Sequence, residues 1–174
     1  MKTITSLSIL FLVFLLSCGN QENKITNVVL SQLMNDINWH EDYSNVKDLL
    51  ENKYKLEFER KVDQKEVGKS IYVFSGITIN SIKTKNCSIV FNNDSLNSIV
   101  FTIEEDSKNP LSADLEKLKS AISNLPIEQY YKESEFWIVK DDQEEINGIQ
   151  LSSNSKTILI SISSEKYINK YSSI

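Results

Sequence analysis

Histidine is almost absent from this chain of 174 residues, in which His40 is the only one. A single imidazole excludes HExxH zinc sites and other metal centres that need several histidines. Glycine is scarce as well, with four residues, and neither GxGxxG nor a Walker loop occurs, so the known phosphate-cradling loops are excluded. No GxSxG is present, and the serines lack a histidine partner in any recognisable catalytic pattern.

Basic residues are outnumbered, since 19 lysines and arginines stand against 24 aspartates and glutamates, for a net charge of −5. This acidic balance argues against a nucleic-acid partner and against electrostatic adhesion to anionic lipid. We expect no cofactor and no metal. An enzyme is the less favoured reading, and it stays open as a hydrolase that uses two carboxylates, because two acids can come from anywhere in a fold.

One long apolar run stands out near the start of the chain. Residues 7–16 (LSILFLVFLL) follow Lys2 and lead into Ser17 and Cys18. The run is shorter than the roughly 20 residues that a transmembrane helix needs, and its length is typical of a signal peptide. Residues 15–18 (LLSC) resemble the lipobox of bacterial lipoproteins, with Leu16 larger than the residue usually found there.

The lipobox resemblance implies that diacylglycerol is joined to the sulfur of Cys18, with acylation of the new amine often following cleavage. It implies a signal peptide over residues 1–17, a tether over residues 18–24, and anchorage to a membrane of the bacterial cell envelope. The domain would then face the periplasm or the exterior. Two or three acyl chains hold a protein on a membrane where one chain would not.

Lipidation of Cys18 would leave Cys87 as the only thiol, so that no intramolecular disulfide could form. Cys87 alternates with Ile89 and Phe91, which predicts a buried position on a strand. A catalytic thiol is the alternative interpretation.

Hydrophobic periodicity predicts one α+β domain over residues 25–174, of order ααββββ-αβββ, with helices packed on one face of an antiparallel meander. Helices are predicted over residues 25–38, after Asp42 or Ser44, and from about residue 110 to residue 125. Strands are predicted at residues 54–58, 70–82, 87–91, 99–103, 136–139, 146–151 and 157–162. The last helix carries an apolar stripe made of Leu111, Leu115, Leu118, Ile122 and Leu125.

Two hairpins share a pattern. The segments CSIVFNNDSLNSIVFTIEE and GIQLSSNSKTILISISSE each contain an apolar strand, a turn rich in Asn and Ser, and a strictly alternating strand. We take a two-lobed pseudo-repeat as one hypothesis. The alternative is chance similarity, because such hairpins are common in antiparallel proteins.

Several clusters could carry chemistry. In residues 39–42 (WHED), His40 is either a general base or metal ligand, or a cation near a helix end. In residues 141–145 (DDQEE) the acids lack the alternating spacing of calcium loops, which favours a solvated hairpin tip. The same interpretation applies to residues 104–106. On a strand, Phe136 and Trp137 must point to opposite faces, next to Tyr130 and Tyr131.

The leading interpretation is a lipid-anchored, non-catalytic domain that binds a protein partner. One alternative is an antagonist lipoprotein that neutralises a toxin or an envelope hydrolase. Another is a carboxylate-dependent hydrolase or a carrier of a small apolar ligand.

Overall fold

The computed structural model describes residues 26–39, 41–106, 110–140 and 146–164. The strands are β1 (Thr26–Val28), β2 (Glu57–Gln64), β3 (Lys69–Ser75), β4 (Ile77–Ile79), β5 (Ile82–Lys83), β6 (Asn86–Asn92), β7 (Ser95–Glu104), β8 (Ile127–Tyr131), β9 (Phe136–Lys140), β10 (Ile146–Ser153) and β11 (Thr157–Ser164). The α-helices are α1 (Leu30–Asp36), α2 (Tyr43–Asp48), which continues into a π-helical turn (Leu49–Lys53), and α3 (Leu111–Ser123).

The strands form two sheets. The large sheet has eight strands in the order β2-β3-β6-β7-β11-β10-β9-β8, and every pair within it is antiparallel. The small sheet has the order β1-β4-β5. The predicted α+β fold, with helices packed on one face of a meander, is therefore wrong. Strands make up 52% and helices 28% of the described residues, and the three α-helices are short.

The predicted element order ααββββ-αβββ is wrong at the first helix. Its periodicity covered residues 25–38, but the helix begins at Leu30, and Thr26–Val28 is a strand instead. This strand pairs in parallel with β4, from Thr26 opposite Ile77 to Val28 opposite Ile79. Local periodicity does not report pairing between segments so distant in the chain, so the helical pattern extends over residues that form a strand.

Two further differences between the predicted and the observed strands lie at the edges of the large sheet. All residues of β2 are exposed, and four of the five in β8 are exposed as well, with Tyr131 partly buried. An edge strand that buries neither face has no clear alternation, so β8 was not predicted. The strand expected at residues 54–58 begins later, at Glu57, because Tyr54 ends the π-helical turn.

Gly76 divides the long strand predicted over residues 70–82. It has a φ of 75°, in the left-handed region that glycine adopts without a Cβ clash. On one side of Gly76, β3 belongs to the large sheet, and on the other side β4 belongs to the small sheet. The chain therefore changes from the large sheet to the small sheet at this glycine.

The two halves of the large sheet have the same layout. Strands β2-β3-β6-β7 and β8-β9-β10-β11 each form an antiparallel meander, and the meanders meet where β7 pairs with β11. In each half a 3-10 helical turn closes the first hairpin, at Lys65–Val67 and at Lys132–Ser134. Each turn ends at a residue in the left-handed conformation, Gly68 (φ 62°) and Glu135 (φ 46°).

One face of the large sheet belongs to the hydrophobic core. The buried side chains on its middle strands are Cys87, Ile89 and Phe91 of β6, Ile99, Phe101 and Ile103 of β7, and Ile158, Ile160 and Ile162 of β11. Two residues of the α3 stripe, Leu118 and Ile122, are fully buried. Leu111, Leu115 and Leu125 are partly buried and pack against the same core.

Candidate functional site

The other face of the large sheet carries uncharged side chains across its six inner strands. Because strand residues alternate between faces, these residues are the ones between the buried positions. We call this surface the open face. It consists of Ile71 and Val73 of β3, Ser88 and Val90 of β6, Ser98, Val100 and Thr102 of β7, Leu159, Ser161 and Ser163 of β11, Gly148, Gln150 and Ser152 of β10, and Phe136 and Ile138 of β9.

In part of one row of the open face, branched and small side chains alternate from strand to strand. Val73 lies opposite Ser88, Ser88 opposite Val100, and Val100 opposite Ser161. The row therefore alternates in side-chain size, although Val73 is almost fully buried at 4% exposure. Val73 and Gly148 are buried among their neighbours, while the other open-face residues are partly buried or exposed.

Charged residues lie around the open face rather than within it. Arg60 is on the edge strand β2, opposite Val73, while Lys69, Glu104 and Lys140 are at strand ends. Glu104 forms an ion pair of 2.6 Å with Lys85, next to the sheet. Depletion of charge at the centre and a polar rim are features that the open face shares with protein–protein interfaces.

Both edges of the large sheet are bulged. The register of β2 against β3 shifts between Phe58 and Arg60, and that of β8 against β9 shifts between Ile127 and Gln129. A bulge bends the edge and interrupts its hydrogen-bonding row, which hinders addition of a foreign strand. The open face is therefore better suited to docking than the edges are.

A polar cleft of about 560 Å³ lies among β4, β5, the end of β7 and the start of α3. Its charged lining combines Lys83, Lys85 and Lys117 with the acids at 104–106 and Asp114. Lys85 pairs with Glu104, and Lys117 lies 3.7 Å from the carboxylate of Asp114. Within the part of the chain that the structure describes, no group of three His, Cys, Asp or Glu residues is placed to hold a metal ion.

The WHED segment is not assembled into a site among the described residues. Trp39 is 4% exposed, and its Nε1 donates a hydrogen bond of 2.6 Å to Oδ1 of Asn147, on β10. Asp42 caps α2, since its carboxylate accepts a hydrogen bond from the backbone N–H of Asn45. His40 lies outside the described residues. Trp39 and Asp42 thus have structural roles.

Cys87 is 1% exposed, which confirms the predicted burial. Burial in the core raises the pKa of the thiol, because an apolar environment disfavours the thiolate. A reactive cysteine needs the thiolate and access to solvent, so this position does not favour a catalytic role.

The aromatic residues of β8 and β9 are divided between the two faces, as the alternation predicts. Trp137 is buried, lies opposite Ile149 and stacks on Tyr130 with ring centroids 4.8 Å apart. Phe136 lies on the open face, where its ring is 5.9 Å from that of Tyr131. The ring of Trp137 is therefore a core group, and that of Phe136 is partly buried on the open face.

The predicted lipidation site Cys18, the signal peptide over residues 1–17 and the tether over residues 18–24 lie outside the described residues, as do the acids in 141–145. Among the described residues, no helix has the length and hydropathy required to cross a membrane. Comparison with protein-family models, with curated proteins and with solved structures finds no match to this chain.

Reasoning from the sequence did not find the open face. A signal was present, because the positions between the buried residues of β6 and β7 are serine, valine and threonine, without a charge until Glu104. A solvated sheet face would normally use many charged residues there. Only the strand order, however, brings the uncharged positions of six strands together.

Proposed function

We propose that this protein is a lipid-anchored, non-catalytic domain of the bacterial cell envelope, and that its open face docks a protein partner. The observation that carries the proposal is the distribution of charge. Charged residues make up 25% of the chain, yet on the six inner strands this face of the sheet carries charge only at strand ends, at Lys69, Glu104 and Lys140.

The physical reason is desolvation. A docked partner removes water from the surface that it covers, and removing water from an unpaired charge costs free energy. Valine, isoleucine and leucine gain free energy on the same transfer, while hydroxyl groups can exchange water for a polar partner. A partner can thus cover the open face at a low cost in desolvation free energy, while the charged rim remains in water.

The membrane anchor rests on the sequence, namely the apolar run at residues 7–16 and the lipobox-like residues 15–18. An anchored domain meets its partner near a membrane surface, where confinement raises the effective concentration of both. A modest interface then suffices for function.

The other interpretations receive less support. Ion pairs with lysines engage Glu104 and Asp114 in the polar cleft, whereas a hydrolase needs two carboxylates turned toward a substrate. The mixed charges of that cleft do not suit a small apolar ligand. An antagonist of a toxin or an envelope hydrolase would use the open face, so it is a special case of the proposed function.

Photo-crosslinking in membranes tests the proposal. A benzophenone amino acid at Ser161, in the middle of the open face, should yield a protein adduct in the full chain. The same probe at Ser123, which is exposed on α3, is the matched control. Equal adducts from both positions, or no adduct from Ser161, would contradict docking at the open face.

A further inference from the structure

We infer that the polar cleft beside α3 binds a zwitterionic group, namely a phosphate carried next to a primary ammonium, and that this group is the headgroup of a membrane phospholipid. The cleft lies among β4, β5, the end of β7 and the start of α3, and it shares Glu104 with the charged rim of the open face. Its volume of about 560 Å³ falls within the range of small-molecule sites. The cleft is therefore a second candidate site, which goes beyond the docking of a protein partner at the open face.

Charges of both signs line the cleft. The described lining contains three lysines and four acids, which are Lys83, Lys85 and Lys117 with Glu104, Glu105, Asp106 and Asp114. An anion in the cleft would meet the carboxylates and a cation would meet the ammonium groups, so part of the lining repels a ligand of one sign. A ligand with both charges can turn each of them toward the opposite sign. The net charge of −5 also disfavours a purely anionic headgroup.

Asp114 marks the place of the ammonium. This residue is 7% exposed although it lines the cleft, so its carboxylate has lost most of its contact with bulk water. Its ion pair with Lys117 is 3.7 Å long, and the side chain of Lys117 is 62% exposed, which makes the pair weak. A primary ammonium in the cleft can donate a charge-assisted hydrogen bond of about 2.8 Å to the same carboxylate. The ligand would thus compensate the charge of Asp114 from within the cleft.

Two lysines at β5 suit the phosphate. Lys83 ends β5 and Lys85 follows two residues later, and both residues are exposed and line the cleft. The ammonium of Lys85 lies 2.6 Å from one carboxylate oxygen of Glu104, and it has further N–H donors to offer. A phosphate can therefore bind Lys85 without breaking that ion pair.

The lining also distinguishes between kinds of ammonium. Quaternary ammonium groups, such as that of choline, are recognised by the faces of aromatic rings. No aromatic residue belongs to the described lining of the cleft, which offers carboxylates instead. Carboxylates accept hydrogen bonds, and only an ammonium that carries N–H groups can donate them. Ethanolamine therefore fits the cleft better than choline does.

The position of β1 argues that the source of the headgroup is a membrane lipid. Oδ1 of Asn27, on β1, accepts hydrogen bonds from Oγ1 of Thr78 at 2.9 Å and from the backbone N–H of Ser81 at 2.7 Å. Thr78 and Ser81 both line the cleft. Asn27 follows Cys18 by nine residues, which span at most about 32 Å when fully extended. The lipid that the proposed function places on Cys18 would thus keep the cleft near the headgroups, at a high effective concentration.

Calorimetric titration of the full chain in a non-ionic detergent with glycerophosphoethanolamine, the free headgroup, tests the site. We expect saturable binding that is about tenfold or more tighter than the binding of glycerophosphocholine or glycerophosphoglycerol, because only ethanolamine can donate to Asp114. Asp114→Asn should weaken the binding about tenfold or more, since the amide lacks the charge that holds the ammonium. Glu116→Gln is the matched control, because Glu116 is exposed on α3 and does not line the cleft. Equal affinity for the three headgroups, no binding, or equal losses in the two variants would overturn the inference.

A second pair of variants keeps the test decisive if Asp114→Asn is unstable. Lys83→Gln changes an exposed side chain at the phosphate end and should also weaken the binding, whereas Lys132→Gln, exposed and outside the cleft, should not. Unchanged affinity in Lys83→Gln would contradict the assigned place of the phosphate.

Photo-crosslinking separates a membrane lipid from a soluble zwitterion. With a benzophenone amino acid at Glu105, an exposed residue of the lining, the full chain in vesicles of radiolabelled phosphatidylethanolamine and unlabelled phosphatidylglycerol should form a labelled adduct that excess glycerophosphoethanolamine suppresses. The same probe at Ser123 should give no suppressible adduct. If glycerophosphoethanolamine binds in detergent but the lipid does not label Glu105, the site takes a soluble zwitterion and the assignment to a membrane lipid is wrong. The probe at Ser161 reports protein docking separately, so failure of this inference is distinguishable from failure of the proposed function.

Discussion

At the scale of single residues, Asp36 is a polar link between two helical segments. Its carboxylate at the end of α1 forms an ion pair of 2.6 Å with Lys53 and accepts a hydrogen bond from the hydroxyl of Tyr54. Burial alone would raise the pKa of Asp36, but the bonds from Lys53 and Tyr54 outweigh it, and the pKa is lowered from its ordinary value of 3.8. The pKa of Tyr54 is raised, first by burial and then by Asp36.

We predict that this link makes stability depend on acid pH. Because the pKa of Asp36 is lower in the folded than in the unfolded chain, its contribution is present above about pH 4 and is lost as the pH falls through the lowered value. Asp36→Asn should therefore lose stability at pH 7 and show a weaker decline below pH 4. Denaturant unfolding of both proteins at pH 7 and pH 2.5 measures this. Parallel declines in the two proteins would contradict it.

At the scale of elements, the two 3-10 helical turns end in the same left-handed backbone conformation but with different residues. Gly68 and Glu135 both have left-handed φ, which costs about 1 kcal/mol or more for a residue with a Cβ. Glu135 compensates with contacts, since its carboxylate pairs with Lys119 at 2.8 Å and accepts a hydrogen bond from the hydroxyl of Tyr130. The hydrogen bond from Lys119 lowers the pKa of Glu135.

A comparison of two substitutions at Glu135 isolates the backbone cost. Glu135→Ala and Glu135→Gly both remove the bonds to Lys119 and Tyr130, but only glycine relieves the left-handed φ. The glycine variant should be the more stable of the two by about 1 kcal/mol, measured by denaturant unfolding. Equal stability would mean that φ at this turn is not strained.

The apolar stripe of α3 offers a second test at this scale. Leu118 is fully buried, so Leu118→Ala should cost about 2–5 kcal/mol through lost burial and a residual cavity. Lys117→Ala should stay within about 0.5 kcal/mol, because that side chain is 62% exposed. Lys119 is a poorer control, since it is 34% exposed and its ion pair with Glu135 is 2.8 Å long, whereas Lys117 lies 3.7 Å from Asp114. Similar losses for Leu118→Ala and Lys117→Ala would show that α3 is not docked through this residue.

At the scale of the whole molecule, we predict that a lipid on Cys18 anchors the chain to a membrane. Cys18→Ala should abolish incorporation of labelled palmitate, because the thiol is the expected site of diacylglycerol attachment. The core of the described residues is built from other side chains, so the described domain should still fold, as limited proteolysis can show. Unchanged palmitate incorporation in the variant would refute the lipoprotein interpretation.

The sequence by itself determined features that depend on neighbours in the chain. The alternation around Cys87 predicted a buried strand residue, the three-four spacing from Leu111 to Leu125 predicted α3, and Asn93-Asp94 fell in a predicted turn. In each case the signal is local, because a strand or helix that buries one face must repeat apolar residues with its own period. The lipobox-like residues are also local, and their function remains a prediction.

Tertiary structure alone decided the rest. Parallel pairing of β1 with β4 overrode a helical pattern, and the edge strands β2 and β8 are held by their neighbours without burying a face of their own. The open face exists only because β7 and β11, far apart in the chain, pair at the centre of the large sheet. Hydrogen bonds between distant strands set this arrangement, and local periodicity, which reports only whether a face is buried, does not encode which strands become neighbours.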